Sequence, residues 1–248
     1  MKLVIADASY LKDSISVIAD LVNEARFKLT RDGIEVIAMD PANVAMVIFK
    51  LLSSGFTEYD IDKDVDIGIN LQSLKQILRR SSPQDTLTLE AGADNKLKIQ
   101  LRGQSIRTFS LPIIELEERE QRVPNLSFPT MITMPSGALQ DAIADADIVA
   151  ESVTFESEPE RFIIAAHGDH SNAHIEMKAS ESTRIKQSVN AGVKAKYSIE
   201  YLKKMITGGK LADTVDIQFN QDYPLRLDYK KVDRLSLSFI LAPRVEND

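Results

Sequence analysis

The chain contains no cysteine, and this one absence removes disulfide frameworks, thiolate nucleophiles and thiolate metal sites. It fits an intracellular setting. No apolar run approaches the roughly 18 residues that cross a bilayer as a helix, and no membrane role is expected. The opening stretch Met1-Lys-Leu-Val-Ile-Ala6 meets Asp7 too soon to be a secretory signal. Histidine occurs only three times, and no G-x-S-x-G, H-E-x-x-H or dinucleotide fingerprint is present, so no catalytic residue and no cofactor is indicated. Positive charge is the minority: 30 Lys and Arg against 37 Asp and Glu leave a net charge of −7. That argues against DNA binding by the whole surface and leaves room for positive charge gathered on one face. What is present is a 248-residue chain, 44% hydrophobic and 27% charged, enough for one large domain or two of ordinary size.

The chain repeats itself. Leu11-Lys-Asp-Ser-Ile15 corresponds to Leu139-Gln-Asp-Ala-Ile143, an offset of 139 − 11 = 128. Ser73-Leu-Lys-Gln-Ile-Leu78 and Tyr201-Leu-Lys-Lys-Met-Ile206 keep the same offset, as do Asp85-Thr-Leu-Thr-Leu89 and Asp213-Thr-Val-Asp-Ile217. Leu97-Lys-Ile99 with Leu225-Arg-Leu227, and Phe27 with Phe155, complete the register. One register held over five segments is the mark of a tandem duplication.

Each half predicts the same α+β layout of antiparallel sheets with two helices. In the first half a strand at 2–6 precedes a helix at 9–21, with Leu11, Ile15, Ile18 and Val22 at helical spacing. Strands follow at 26–29, 34–39 and 44–51, then a second helix at 71–79 burying Leu71, Leu74, Ile77 and Leu78. Strands at 86–90, 96–101 and 105–111 close the half. In the second half Leu225, Leu227 and Tyr229 alternate with Arg226 and Asp228, and Leu235, Leu237, Phe239 and Leu241 with Ser236, Ser238 and Ile240. Such alternation predicts sheets with one buried face. Helices are too few to alternate with strands, which excludes a doubly wound parallel sheet. Domains at 1–114 and 129–248 are expected, joined by a connector at 115–128 that is dense in Glu and Arg and ends near Pro124 and Pro129.

Three constellations invite chemistry. His167, His170 and His174 could hold a metal, yet they flank Gly168-Asp169 and Ser171-Asn172, which read as a hairpin turn without the rigid support of a site. Asp60, Asp62, Asp64 and Asp66 alternate, but an EF-hand would need Gly and Glu where Val65 and Leu71 stand; a solvated strand face or loop is the reading. Gly208-Gly209-Lys210 lacks the first glycine and the Ser or Thr of a phosphate loop, and reads as a glycine stop to a helix. No metal site is expected.

The basic residues are patterned instead. Lys75, Arg79 and Arg80 project from the polar face of the second helix, Lys203 and Lys204 from its copy with Lys210 just beyond, and Lys12 from the first helix. Lysines at duplicated positions in an acidic chain point to a surface suited to phosphate backbone rather than base edges. No aromatic residues interleave with them, so single-strand stacking is not indicated. The helix after Met134 is acidic through Asp141, Asp145 and Asp147.

Taken with Leu21-Val-Asn-Glu-Ala25, Met39-Asp-Pro-Ala-Asn-Val-Ala-Met-Val47, Ile69-Asn-Leu-Gln-Ser-Leu74, Met134-Pro-Ser-Gly137 and Leu241-Ala-Pro-Arg-Val245, the chain resembles the DNA sliding clamps of the proliferating cell nuclear antigen family, above all the archaeal ones. The resemblance implies a homotrimeric ring of six similar domains around double-stranded DNA, held topologically and without sequence preference. It places Lys12, Lys75, Arg79, Arg80, Lys203, Lys204 and Lys210 toward DNA, while the acidic helix at 136–147 departs from the usual basic lining. It further implies a processivity factor that binds DNA polymerase, clamp loader, flap endonuclease and DNA ligase through PIP-box peptides. Their groove would comprise Met39, Asn43, Val44, Met46, Val123, Pro124, Pro224, Ile240, Leu241, Ala242 and Pro243. Ile240 stands where many relatives carry an aromatic residue. The subunit interface would pair the strand carrying Ser105, Arg107, Phe109 and Leu111 with the one carrying His174, Glu176 and Lys178, with Asp141 and Asp145 opposite Arg79, Arg80 or Arg107. The location implied is the archaeal cytoplasm at the nucleoid, or the nucleus in a eukaryote. One subunit of a heterotrimeric or checkpoint-type clamp is an alternative, and a metalloprotein built on the His167–His174 cluster is a third.

Overall fold

Helical spacing is carried through into burial: Leu11, Ile15, Ile18 and Val22 are all buried. They sit on α1 (Ser9–Ile18) and the turn that follows it. The helix is three residues shorter than its apolar period suggests, because Asp20 and Leu21 bond back to Val17 and Ile18 in i→i+3 fashion at 3.3 and 3.0 Å. In the computed structural model, residues 1–92, 94–116, 121–188 and 192–245 are described. The chain forms two compact units. The first comprises Met1–Pro41, Val47–Val123 and Lys231–Leu237, the second Ala42–Met46, Pro124–Lys230 and Ser238–Asp248.

The first unit runs β1 (Lys2–Ile5), α1, β2 (Glu24–Thr30), β3 (Gly33–Met39), β4 (Ala45–Leu52), β5 (Glu58–Asp60), β6 (Val65–Asn70), α2 (Leu71–Leu78), β7 (Thr86–Ala91), β8 (Lys96–Arg102) and β9 (Ile106–Pro112). Its strands order as β5-β1-β7-β8-β9 and β4-β3-β2-β6, with antiparallel registers. The β2–β3 turn needs Gly33: its φ of 148° is one that L side chains rarely adopt, and a Cβ there would lie 2.2 Å from the Leu51 carbonyl oxygen. Helix α2 begins where the Asn70 side chain accepts a bond from the Ser73 amide at 2.9 Å. It buries Leu71, Leu74 and Leu78, while Ile77 is only half-buried, one residue short of the expected stripe.

The second unit contains β10 (Thr130–Pro135), α3 (Ser136–Asp147), β11 (Ser152–Glu158), β12 (Arg161–His167), β13 (Asn172–Lys178), β14 (Arg184–Gln187), β15 (Val193–Ser198), α4 (Ile199–Met205), β16 (Thr214–Phe219), β17 (Leu225–Lys231) and β18 (Leu235–Leu241). They order as β14-β10-β16-β17-β18 and β13-β12-β11-β15. The offset of 128 survives in the elements: β1 and β10 start at 2 and 130, β2 and β11 at 24 and 152, β6 and β15 at 65 and 193, α2 and α4 at 71 and 199. The cores have diverged. Phe155, Phe162, Tyr197 and Phe219 make edge and tilted ring contacts at 5.4–6.0 Å. The same positions of the first copy hold Phe27, Ile34, Ile69 and Ala91. The Tyr197 hydroxyl donates to the Tyr223 carbonyl at 2.7 Å, and burial pushes its pKa upward.

Two sequence expectations are corrected, and one is refined. Asp228 is 3% exposed rather than on a solvated face; Arg226 Nε at 3.0 Å, Gln218 Nε2 at 2.9 Å and the Ser238 hydroxyl satisfy its carboxylate, so Asp228 and Ser238 are buried as partners. Asp60, Asp62, Asp64 and Asp66 are exposed, as a solvated strand face or loop requires, and run from the end of β5 through a turn to the start of β6. Gly208 and Gly209 do not end a helix in a left-handed cap, since α4 runs on into a 3-10 segment, Ile206–Lys210. Their lack of Cβ serves packing: one on Gly208 would meet the Tyr229 ring at 2.6 Å.

Candidate functional site

The basic side chains divide into those already engaged and those that are not. In the first unit α1 and α2 lie against each other, and Gln72 Nε2 donates to the Ala19 carbonyl at 2.6 Å. Lys75 crosses the same junction. Its ammonium reaches Asp20 Oδ1 at 2.6 Å and the Ser16 carbonyl at 3.2 Å, and its side chain is 19% exposed. Lys12 donates to the Ser81 carbonyl at 3.3 Å. In the second unit Lys203 repeats the motif with Asp147 at 2.6 Å, and Lys204 reaches Glu200 at 3.2 Å with its ammonium 5.3 Å from the centre of the Tyr201 ring. The duplicated lysines therefore tie each later helix to the end of the opening one. Arg79, Arg80 and Lys210 are exposed and, among the described residues, form no ion pair. The same is true of Asp141 and Asp145 on α3.

Groove candidates in the second unit come together locally. Asn43 adopts φ 56°, and the Val44 carbonyl accepts from the Ala242 amide at 2.9 Å, which sets the two segments side by side. Val44, Pro224, Ala242 and Pro243 are half-buried, and Pro124 is exposed. Met46 and Ile240 are 7% exposed. Leu241 has no exposed surface and stands behind the groove instead of lining it. In the first unit Met39 is half-buried and Val123 is 39% exposed. The sequence did not single out Phe128, which packs edge-on against Tyr223 at 5.9 Å beside Pro224.

Among the edge strands of the sheets are β9 in the first unit and β13 in the second. Ser105 precedes β9. Arg107, Phe109 and Leu111 share one half-buried face, opposite Ile106, which is 62% exposed. Arg107 is held inside its own unit: it pairs with the buried Asp85 carboxylate and donates to the Arg80 carbonyl at 2.9 Å. Asp85 also accepts from the Ser82 amide at 2.9 Å, which, followed by the Arg107 charge, draws its pKa below the usual carboxylate range. On β13, His174, Glu176 and Lys178 point outward, with Arg161 at 3.6 Å from Glu176. The apolar face of that edge is Ala173, Ile175 and Met177, half-buried and missed from sequence although their period-2 spacing could have found them.

The histidines do not converge. His167 and His170 bracket a hairpin closed by Gly168 N to Ser171 O at 2.9 Å, His167 Nδ1 meets Asn172 Oδ1 at 3.0 Å, and His174 lies along β13. Among the described residues no three His, Cys, Asp or Glu side chains gather as metal ligands, and no helix is long and apolar enough to cross a membrane.

Comparison with known proteins meets this geometry from outside. Residues 1–118 match the model of the proliferating cell nuclear antigen N-terminal domain, and residues 122–244 that of the C-terminal domain. The DNA polymerase sliding clamp of Nanoarchaeum equitans is 35% identical over 247 residues, covering 98% of this chain and 99% of that one. That of Pyrococcus furiosus is 35% identical over 245 residues, covering 99% and 98%. A crystal structure of proliferating cell nuclear antigen from Thermococcus kodakaraensis superposes with a TM-score of 0.92 at 28% identity, over 98% of this chain and 99% of the other. With both domain models matched in order along a chain whose two halves repeat element for element, the chain belongs to the proliferating cell nuclear antigen family.

Proposed function

We propose that the chain is a DNA polymerase sliding clamp, a non-enzymatic homotrimer that encircles duplex DNA and tethers replication and repair enzymes to it. The observation that carries this is the pair of dissimilar open edges, β9 and β13, on a duplicated scaffold like those of clamps. Two different edges join head to tail, and such an interface closes into a ring when its rotation allows. Phosphate contacts then need only be weak, because closure holds the DNA. Arg79, Arg80 and Lys210 are the best placed to supply them, with Lys12, Lys75, Lys203 and Lys204 as a background of partly neutralised charge. Val44, Ala242 and Pro243, with Met46 and Ile240 beneath, form the apolar seat for PIP-box peptides of polymerase, clamp loader, flap endonuclease and ligase. A cytoplasmic location at the nucleoid follows from this work on DNA.

Sedimentation of the purified chain tests the proposal. Three times the 27.6 kDa chain mass is expected, and a monomer at micromolar concentration argues for a heterotrimeric subunit. Loaded onto a nicked circle, the trimer should be retained at high salt and lost when the circle is linearised. Replacing Pro243 by Glu, or Met46 by Ala, should abolish peptide binding in anisotropy titrations while the sedimented mass stays that of the trimer.

A further inference from the structure

A concave site on the outer face of the β13-β12-β11-β15 sheet belongs neither to the groove nor to the basic helices. Its floor is low because Ser152 and Thr154 on β11 and Ala165 on β12 are small and share one face. Its walls are fixed by backbone bonds to the free edge of β15. On one side the Asp222 amide donates to the Lys194 carbonyl at 3.0 Å, and the Lys194 amide to Gln221 Oε1 at 3.0 Å. On the other the Arg244 amide donates to the Lys196 carbonyl at 2.7 Å. Between them lies a cavity of about 470 Å³.

Its charge is the reverse of the molecule's. Among the described residues, Lys194, Lys196 and Arg244 line it with a single carboxylate, Asp222, which accepts from Gln221 Nε2 at 2.7 Å. The whole chain carries −7. Lys194 and Lys196 share the face because strand side chains alternate. Glu156 stands across from Lys194 in register, whereas Thr154 stands across from Lys196. Among the described residues the Lys194 ammonium and the Arg244 guanidinium form no ion pair. A duplex would need a continuous cationic track, and beyond the pocket the face mixes Glu156, Glu158 and Glu176 with Arg161 and Lys178. A single acidic side chain or two would not.

We infer that this pocket receives carboxylate side chains flanking the partner segment seated in the groove. The inference rests on the groove reading, because Arg244 directly follows Pro243, so a peptide extended past the groove's end arrives at the pocket. The test is anisotropy of a labelled PIP-box peptide carrying three Glu, or three Gln, appended at either end, on the full chain. Glu at one end should tighten binding about fivefold at low ionic strength, as expected for two partly exposed ion pairs. Lys194→Glu and Arg244→Glu should each remove much of that gain and leave the Gln-flanked peptide unaffected, and high salt should remove it as well. No gain at either end, or a gain that survives both substitutions, overturns the inference and leaves the groove standing. Failure of every peptide to bind overturns the groove and this inference with it. If the substitutions weaken duplex binding without changing the order of the peptides, the pocket is a phosphate site instead.

Discussion

Gly208 and Gly209 sit side by side, yet the cost of adding a methyl group differs between them. At Gly208 it would strike the Tyr229 ring at 2.6 Å, and Tyr229 is 1% exposed within the core. At Gly209 its nearest neighbour is the end of the Gln140 side chain at 2.7 Å, which can swing away. Gly208→Ala should destabilise the chain by roughly 1–3 kcal/mol in urea titrations, as overpacking does, with Gly209→Ala costing less. Asp85 supplies a second residue-scale prediction. Its folded pKa is lowered, so its contribution is complete above the unfolded carboxylate value of about 3.9 and is lost as pH falls through the folded value. Asp85→Asn should lower Tm at neutral pH and flatten the acid limb of stability against pH. Neither residue could be understood from sequence. A glycine that avoids a ring and one that caps a helix look identical in a string, and Asp85 gains its meaning from Arg107, a strand away.

At the scale of elements, the helices and the repeat were legible because period and offset are local. Leu11, Ile15 and Ile18 needed only 3.6-residue spacing, and the 128-residue register reappears in the starts of strands and helices. What the sequence could not reveal was which charges on a helix are already satisfied. Lys75 and Lys203 recur because each pins a helix pair, through Asp20 in one copy and Asp147 in the other. Neutralising Arg79, Arg80 and Lys210 together should therefore reduce the salt dependence of DNA binding more than neutralising Lys75 and Lys203, when log affinity is plotted against log salt concentration. Equal slopes would show that the helix-pinning lysines bind phosphate as well. The groove was half legible. The Met39–Val47 and Leu241–Val245 segments were found by resemblance, whereas the burial of Leu241 and the cationic pocket beside Arg244 depend on strand pairing.

At the scale of the whole molecule, assembly depends on surfaces that differ. Arg107 is engaged by Asp85, which leaves Arg79 and Arg80 as the free cations to oppose Asp141 and Asp145 of a neighbouring subunit. Reversing both aspartates to lysine should weaken the trimer, more at low salt than at high salt because screening softens the repulsion. An unchanged sedimented mass across that range would remove α3 from the interface. The apolar Ile175 and Met177 on β13, with Phe109 and Leu111 on β9, would then carry the junction without help from charge.

The way each unit is threaded has a consequence for synthesis. The first unit includes Lys231–Leu237, and it uses them: the Leu52 amide donates to the Arg234 carbonyl at 2.9 Å, and the Ser54 hydroxyl to the Asp233 carbonyl at 2.8 Å. A growing chain usually completes its N-terminal part first. Here the first unit waits for a segment that is made only after β17 of the second. A chain stalled before residue 231 leaves that unit without its closing segment, so the end of β4 and the β17–β18 turn mature together.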